Sequence, residues 1–182
     1  MKKILLITGD AGECFEVLYA KQRFQEAGYM AVIAAPSIKR MHLVIHDFEP
    51  GWDTYKESKG YQITSDVSFD QVATHDYDAV LCIGGRAPEY LRHDAHVIRL
   101  VQEFHHQGKY TFAICHGIQI LVTAGLITGK RITCYEHVKS EVIAGGGIYI
   151  SDQEAVQDGM IVTGQTWQSH PDFYKLVMRC LE

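Results

Sequence analysis

Thr111-Phe112-Ala113-Ile114-Cys115-His116-Gly117 is the stretch of this 182-residue chain that decides the fold. Residues 111–114 suit a buried strand, and a helical spacing of apolar residues starts at Gly117. Cys115 should therefore lie on a sharp turn between strand and helix, like the serine of a nucleophile elbow, where small residues let the helix return close to the strand. Because the partial positive charge of a helix N-terminus favours thiolate over thiol, Cys115 is the candidate nucleophile.

Apolar runs at residues 4–7, 31–35 and 78–83 predict three more buried strands. A helix predicted over residues 13–27 joins the first two of them, so these two should be parallel with a right-handed crossover. Strands alternate with helices through nearly the whole chain. The pattern predicts a doubly wound α/β fold with a mostly parallel sheet and helices on both faces.

The chain has no linker or repeat, which predicts one domain over residues 1–182. Residues 37–64 break the alternation and predict an excursion from the sheet that is either a surface hairpin or the wall of a pocket. Residues 131–134 predict a fifth strand. Residues 149–150 and 160–163 predict late strands, with a turn at Asp158-Gly159.

Composition narrows the class of protein. A net charge of −5 and a pI of about 6.0 make neither nucleic acid nor an acidic membrane an obvious partner. No apolar run approaches the roughly 20 residues of a membrane helix, and Gly9 and Asp10 interrupt the first run too early for a signal peptide. We therefore expect a cytoplasmic protein. The five cysteines are an odd number without close pairing, and no zinc-site spacing is present, so we expect neither a disulfide framework nor a metal or other cofactor.

The carboxyl ends of parallel strands share one edge of a sheet, so the turn after Ile7, the turn at Gly84-Gly85 and Cys115 should meet there. Glu13 and Glu16 begin the helix that follows the first of these turns. They could simply favour the helix dipole. Alternatively, one carboxyl meets Cys115; if half buried, it would have a raised pKa and could hydrogen-bond a thiolate or shuttle protons.

His116 directly follows the cysteine, and adjacent side chains usually diverge, although an elbow could turn both toward the open edge. Glu89 could orient His116 if its loop, from this or another subunit, reaches it. The backbone N–H groups of Gly85 and His116 could form an oxyanion hole. His46 and His170 are further candidates for lining a pocket, although a His-Pro pair more often just begins a helix. The alternative for Cys115 is a small buried apolar residue.

Together these motifs resemble the ThiJ/PfpI superfamily along essentially the whole chain. The most specific parts are Glu13-x-x-Glu16, the Gly-Gly-Arg-Ala-Pro-Glu-Tyr run at 84–90 and the Ala-Ile-Cys-His-Gly run at 113–117. The second resembles the PfpI branch of intracellular cysteine peptidases, whereas residues 46–48 and 166–171 are similar to plant members with glyoxalase activity. The resemblance implies a flavodoxin-like fold related to class I glutamine amidotransferases.

The resemblance also implies roles for particular residues. Cys115 matches the nucleophile, Glu16 the carboxyl that contacts it, and His116 the peptidase-type histidine. Glu89 matches an acid supplied across a subunit interface, so the resemblance implies a homodimer or a larger assembly. One departure is Ala20, where the family commonly has proline.

Three functions follow from these residues. The first is a cofactor-independent glyoxalase or deglycase that acts on small 2-oxoaldehydes through Cys115 and Glu16. The second is a PfpI-type cysteine peptidase or amidase with a Cys115–His116–Glu89 triad, which would take a peptide substrate. The third is a redox-sensing chaperone, in which Cys115 oxidises to a sulfinic acid held by Glu16.

Overall fold

A computed structural model describes all residues from Met1 to Glu182. The strands are β1 (Lys3–Ile7), β2 (Met30–Ala35), β3 (Arg40–Asp47), β4 (Lys56–Thr64), β5 (Val67–Ser68), β6 (Ala79–Cys82), β7 (Tyr110–Ile114), β8 (Arg131–Ile132), β9 (Ile148–Tyr149), β10 (Ala155–Asp158) and β11 (Ile161–Gly164). The α-helices are α1 (Cys14–Glu26), α2 (Ala87–Leu91), α3 (Ala95–His106), α4 (Ile118–Thr123), α5 (Lys139–Ala144) and α6 (His170–Leu181).

The main sheet has seven strands in the order β10-β11-β7-β6-β1-β2-β5. All neighbouring pairs are parallel except β10 and β11. This arrangement confirms the predicted doubly wound, mostly parallel α/β fold. Ile7 is in register with Cys82, and Cys82 with Ala113, so the carboxyl ends of β1, β6 and β7 lie side by side. The turns that follow these three strands therefore meet at one edge.

The sheet is buried because helices cover it with their apolar faces. Residues 4–7 of β1 and all of β6 have no exposed surface. Helix α1 buries Val17, Ala20 and Phe24, so alanine at position 20 packs in an intact helix. Burial of this kind gives each strand its continuous apolar sequence.

Two predicted strands form with other bounds and lie outside the main sheet. Residues 131–134 do not extend the main sheet: only β8 forms there, and it pairs with β9 in a separate two-stranded sheet. The strand ends because the backbone N–H of Thr133 donates to the Thr163 hydroxyl, 3.0 Å away, instead of to a neighbouring strand. The partner of β11 across the turn at Gly159 is β10, because Ile148 and Tyr149 are already paired with β8.

Strands β3 and β4 form an antiparallel hairpin that is separate from the main sheet. The backbone N–H of Val44 donates to the carbonyl of Gly12, at 3.0 Å, which fastens the hairpin to the turn before α1. Trp167 donates its indole N–H to the carbonyl of His46, at 2.8 Å, and holds the end of β3. The hairpin is therefore fixed beside the carboxyl edge of the main sheet.

None of the helices is both long and apolar enough to cross a lipid bilayer.

Candidate active site

Cys115 lies on the sharp turn that joins β7 to α4. Its backbone has φ of +57°, the left-handed region that residues with a side chain rarely adopt. A 3₁₀ turn over Cys115–Gly117 follows, and α4 begins at Ile118. A Cβ at position 117 would lie 2.2 Å from the carbonyl oxygen of Cys82, so only glycine lets the helix return this close to β6. The strand, turn and helix form a nucleophile elbow.

Glu16 lies next to Cys115 with Gly84 between them. The backbone N–H of Gly84 donates to Glu16 Oε2 at 2.7 Å, and the carboxyl has no exposed surface. A Cβ at Gly84 would lie 2.7 Å from both Glu16 Oε2 and Cys115 Cβ. The two side chains are close enough for each to shift the pKa of the other.

The surroundings of the Glu16 carboxyl favour its protonated form. Burial raises the pKa of Glu16 well above its ordinary value, and the charge of neighbouring Glu13 adds to the rise. Since Oε2 accepts the Gly84 N–H, the carboxyl proton belongs on Oε1, which is buried without a hydrogen-bond partner. A protonated Oε1 can donate to a group that adds to Cys115.

Glu13 is the N-cap of α1. Its carboxyl accepts the backbone N–H of Glu16 at 2.7 Å and that of His46 at 3.4 Å. Burial raises the pKa of Glu13 to about 7. The two acids therefore have different environments: Glu13 satisfies backbone donors at the helix start, and Glu16 borders the cysteine.

Burial and the neighbouring Glu16 favour the neutral thiol form of Cys115, whereas the helix terminus alone would favour the thiolate. Burial raises the pKa of Cys115 well above its ordinary value, and negative charge on Glu16 raises it further. The backbone N–H groups of His116 and Gly85 oppose this rise. They do not overcome it, because α4 has only six residues and the side chain is 5% exposed. The two backbone N–H groups proposed for the oxyanion hole therefore point to the sulfur and lower the Cys115 pKa.

His116 turns toward the cysteine. Cys115 Sγ and His116 Nδ1 are 3.3 Å apart, so the elbow brings together two adjacent side chains that would diverge on a regular strand. Burial lowers the pKa of His116 to about 4, and the imidazole is therefore neutral at neutral pH. A neutral ring can accept the thiol proton.

Glu89 does not orient His116 within one chain. It lies exposed in the first turn of α2. The polar contact of His116 is with Cys115, and Glu89 is not among the charges that shift the His116 pKa. The version of the prediction in which the loop of the same chain supplies the acid is wrong. Supply by a second subunit stays a prediction.

The two histidines predicted to line a pocket lie in different places. His46 is buried, and its Nε2 is 2.8 Å from Glu57 Oε2. Arg86 holds that carboxylate with bonds of 2.6 and 2.9 Å. His170 instead begins α6 and stacks on Tyr19, with ring centroids 4.7 Å apart. His46 therefore belongs to the site edge, whereas His170 packs in an aromatic cluster against α1.

Two aromatic residues at the site escaped the sequence analysis. The Tyr55 ring stacks on His46 at 3.9 Å and meets His116 edge-on at 5.9 Å. The Tyr135 ring lies 5.1 Å from His116 and 5.6 Å from Tyr55. The aromatic composition of residues 46–55 was a signal for Tyr55, but no local pattern marks Tyr135.

The arrangement places the Cys115 thiol, the Glu16 carboxyl and the His116 imidazole together, with the Tyr55 and Tyr135 rings beside them. No group of three or more His, Cys, Asp or Glu side chains is arranged to hold a metal ion. The profile of the DJ-1/PfpI family matches residues 2–180. The chain belongs to the DJ-1/PfpI family. This membership confirms the resemblance inferred from the motifs.

Several relatives in the DJ-1/PfpI family share substantial sequence with the chain. Protein DJ-1 homolog D of Arabidopsis thaliana is 39% identical over 99% of this chain and 48% of its own length, so the chain spans about half of that relative. Deglycase PfpI of Pyrococcus furiosus is 34% identical, covering 94% of this chain and 93% of its own. Protein/nucleic acid deglycase 2 of Escherichia coli is 31% identical, covering 99% and 98%.

Solved structures of this family share the fold. Drosophila melanogaster DJ-1beta superposes with a TM-score of 0.83 at 23% identity, covering 97% of this chain and 88% of its own. The putative protease I from Bacteroides thetaiotaomicron superposes with a TM-score of 0.82 at 17% identity, covering 100% of both chains. At these identities the similarity concerns the fold alone.

Proposed function

We propose that this protein is a cofactor-independent enzyme that converts small 2-oxoaldehydes into 2-hydroxy acids and repairs groups glycated by them. Cys115 is the nucleophile and Glu16 moves the protons. The observation that carries the proposal is the buried Glu16 carboxyl beside Cys115, with Gly84 between them. Burial raises the pKa of Glu16 and so favours the proton-donating form. The relatives named deglycases support the same class of activity.

In the first step the Cys115 sulfur adds to the aldehyde carbon and forms a C–S bond. The thiol proton passes to neutral His116, whose Nδ1 is 3.3 Å from the sulfur. The aldehyde oxygen takes the proton from Glu16 and becomes a hydroxyl. The product is a hemithioacetal beside a Glu16 carboxylate and a protonated His116.

The second step moves hydrogen between the two carbons. The Glu16 carboxylate removes the proton from the former aldehyde carbon, and the neighbouring ketone oxygen takes the proton of His116, which gives an enediol. Glu16 then delivers its proton to the second carbon and takes the one left on the first hydroxyl. The first carbon is oxidised to a thioester as the second is reduced, so no external oxidant is needed. Water releases the 2-hydroxy acid and restores the thiol.

A peptidase is the second candidate, because Cys115 and His116 are in contact as a thiol–imidazole pair requires. The third member of the triad would be Glu89 from a second subunit of a homodimer. This candidate needs a wide approach for a peptide chain, whereas Cys115 is 5% exposed. The burial of the sulfur favours the small aldehyde.

The test compares purified wild type with Cys115→Ser and Glu16→Gln on methylglyoxal, with lactate as the measured product. Cys180→Ser is the matched control, because Cys180 is a half-buried cysteine outside the site. Both site variants should lose about 100-fold or more of the activity, and the control should keep it. Absence of lactate with wild type, or full activity in Cys115→Ser, contradicts the proposal. Peptide cleavage that depends on His116 would favour the peptidase instead.

A further inference from the structure

The Cys115 thiol is covered, although a nucleophile must meet its substrate. Cys115 is 5% exposed, His116 6% and Glu16 0%. The hairpin loop of residues 48–55, here called the cover loop, ends at Tyr55, and the Tyr55 ring faces this group of side chains. The Tyr55 ring therefore lies on the side from which a substrate would approach His116 and the neighbouring sulfur.

Tyr55 is positioned by rings on two sides. It stacks on His46 at 3.9 Å with an interplanar angle of 18°, and its centroid is 5.6 Å from that of Tyr135. Burial raises the pKa of Tyr55 to about 12, and the nearness of Cys115 adds to the rise. The ring is thus a fixed wall beside the nucleophile.

The stacking partner of Tyr55 is itself locked. Glu57 joins His46 to Arg86, and Arg86 directly follows Gly85, whose N–H acts on the Cys115 sulfur. This network fixes the base of the cover loop relative to the loop that borders the cysteine. The position of the Tyr55 ring over the site is therefore determined by side chains on both loops.

The tip of the cover loop is attached weakly. Residues 50–54 are exposed, and the tip is held by two hydrogen bonds, Thr54 Oγ1 to Tyr135 OH and His137 Nε2 to the Asp53 carbonyl, each 3.1 Å long. A segment with few buried apolar contacts opens at low free energy. A small aldehyde can thus enter by a local movement, whereas a bulky one requires the Tyr55 ring to leave His46.

We propose that Tyr55 is a specificity-determining residue that limits the size of the electrophile reaching Cys115. It admits 2-oxoaldehydes with a hydrogen or methyl substituent and disfavours those with an aromatic one. The inference rests on the proposed function for the identity of the substrate. The claim that Tyr55 limits access to the Cys115 thiol does not depend on the identity of the substrate.

The experiment measures two quantities in wild type, Tyr55→Ala, Tyr55→Leu and Tyr55→Phe. The first is the alkylation rate of Cys115 in the resting protein, with iodoacetamide as the small reagent and N-phenylmaleimide as the bulky one, read from the Cys115 peptide by mass spectrometry. The second is kcat/KM for phenylglyoxal relative to methylglyoxal. Tyr61→Ala is the control, since Tyr61 is an aromatic residue of the same hairpin with 72% of its surface exposed.

Tyr55→Ala should raise the rate of alkylation by N-phenylmaleimide relative to iodoacetamide about tenfold or more. It should raise kcat/KM for phenylglyoxal relative to methylglyoxal by a similar factor, mainly through a lower KM for phenylglyoxal. Tyr55→Leu should lie between, and Tyr55→Phe and Tyr61→Ala should match wild type, because the Tyr55 hydroxyl makes no contact on which the proposal depends. An unchanged alkylation ratio in both Tyr55→Ala and Tyr55→Leu overturns the role of Tyr55. If wild type does not turn over aldehydes but the Tyr55 variants still change the alkylation ratio, the proposed function is overturned. The role of Tyr55 in limiting access to the thiol then stands.

Discussion

Glu16 Oε2 and Cys115 Cβ border the same glycine, because a Cβ added at Gly84 would lie 2.7 Å from each of them. Replacing Gly84 by alanine should force the carboxyl and the cysteine apart. Overpacking of this kind costs about 1–3 kcal/mol in the free energy of unfolding. We expect Gly84→Ala to fold with reduced stability and to lose most of the aldehyde activity, measured by urea unfolding and lactate formation.

The matched control is Gly28→Ala. Gly28 has φ of +78°, and no other atom lies within 4 Å of an added Cβ, so the substitution strains the backbone without touching the site. It should cost about 1 kcal/mol and leave activity unchanged. Equal activity losses in the two variants would show that lowered stability, and not the separation of Glu16 from Cys115, explains the effect at Gly84.

Cys115 should reverse the usual ranking of alanine and glycine. Glycine normally lowers stability relative to alanine, because it loses more backbone entropy on folding. At φ of +57° an alanine keeps the steric cost of a Cβ, about 1–2 kcal/mol, which glycine avoids. We expect Cys115→Gly to be more stable than Cys115→Ala by about 0.5–1 kcal/mol in urea unfolding. Ala113→Gly, in the middle of β7, should show the ordinary destabilisation.

The sequence predicted the elements that depend on local pattern. The apolar run before Cys115, the helical spacing after it and Gly117 were enough to predict the elbow, because each is a property of adjacent residues. The shared carboxyl edge of parallel strands placed Glu16 near Cys115 as one of two alternatives, the other being a purely helix-capping role for the acids. In that part of the site, topology brings distant residues together by a general rule.

The rest of the site depends on contacts that no local pattern encodes. Tyr135 reaches His116 across a loop and after a strand that ends early, because the Thr133 N–H bonds the Thr163 hydroxyl. The burial of Cys115 could not be predicted for a similar reason. The charge of a helix terminus can be inferred from sequence, whereas the burial that outweighs it depends on the whole fold.

Glu13 should make stability fall as pH rises through neutrality. Its pKa is raised from 4.5 to about 7, so the folded state binds the proton more tightly than the unfolded state does. The contribution is fully present below pH 4.5 and is lost as pH approaches 7, by up to about 3 kcal/mol. We expect the difference in unfolding free energy between wild type and Glu13→Gln to shift against wild type between about pH 5 and 8.

Comparing the two proteins at each pH isolates Glu13 and its repulsion of Glu16. Burial lowers the pKa values of His116 and His170 to about 4, so these histidines also make the unfolding free energy depend on pH. Both proteins contain them, and their contribution cancels in the difference. Glu26→Gln serves as the control for removing a carboxyl at an exposed position. A difference for Glu13→Gln that stays constant with pH would mean that Glu13 is ionised throughout the range.

Glu89 should act across a subunit interface, which mixed dimers can test. It is exposed at the start of α2 and does not bond His116 of its own chain. We expect analytical ultracentrifugation to show a homodimer. Glu89→Gln should lower lactate formation from methylglyoxal about tenfold or more, because His116 would lose its orienting group. A dimer of one Glu89→Gln chain and one Cys115→Ser chain has one complete site only if the acid comes from the partner.

Random pairing of equal amounts of the two variants makes about half of the dimers mixed. Each mixed dimer has one complete site out of two. Co-refolding should therefore restore about a quarter of wild-type activity. Each variant refolded alone sets the baseline. If Glu89 served its own chain, both sites of a mixed dimer would lack one residue and the mixture would stay at baseline. Full activity of Glu89→Gln alone would contradict this prediction, because His116 would then need no carboxyl partner, and it would remove the triad that a peptidase requires.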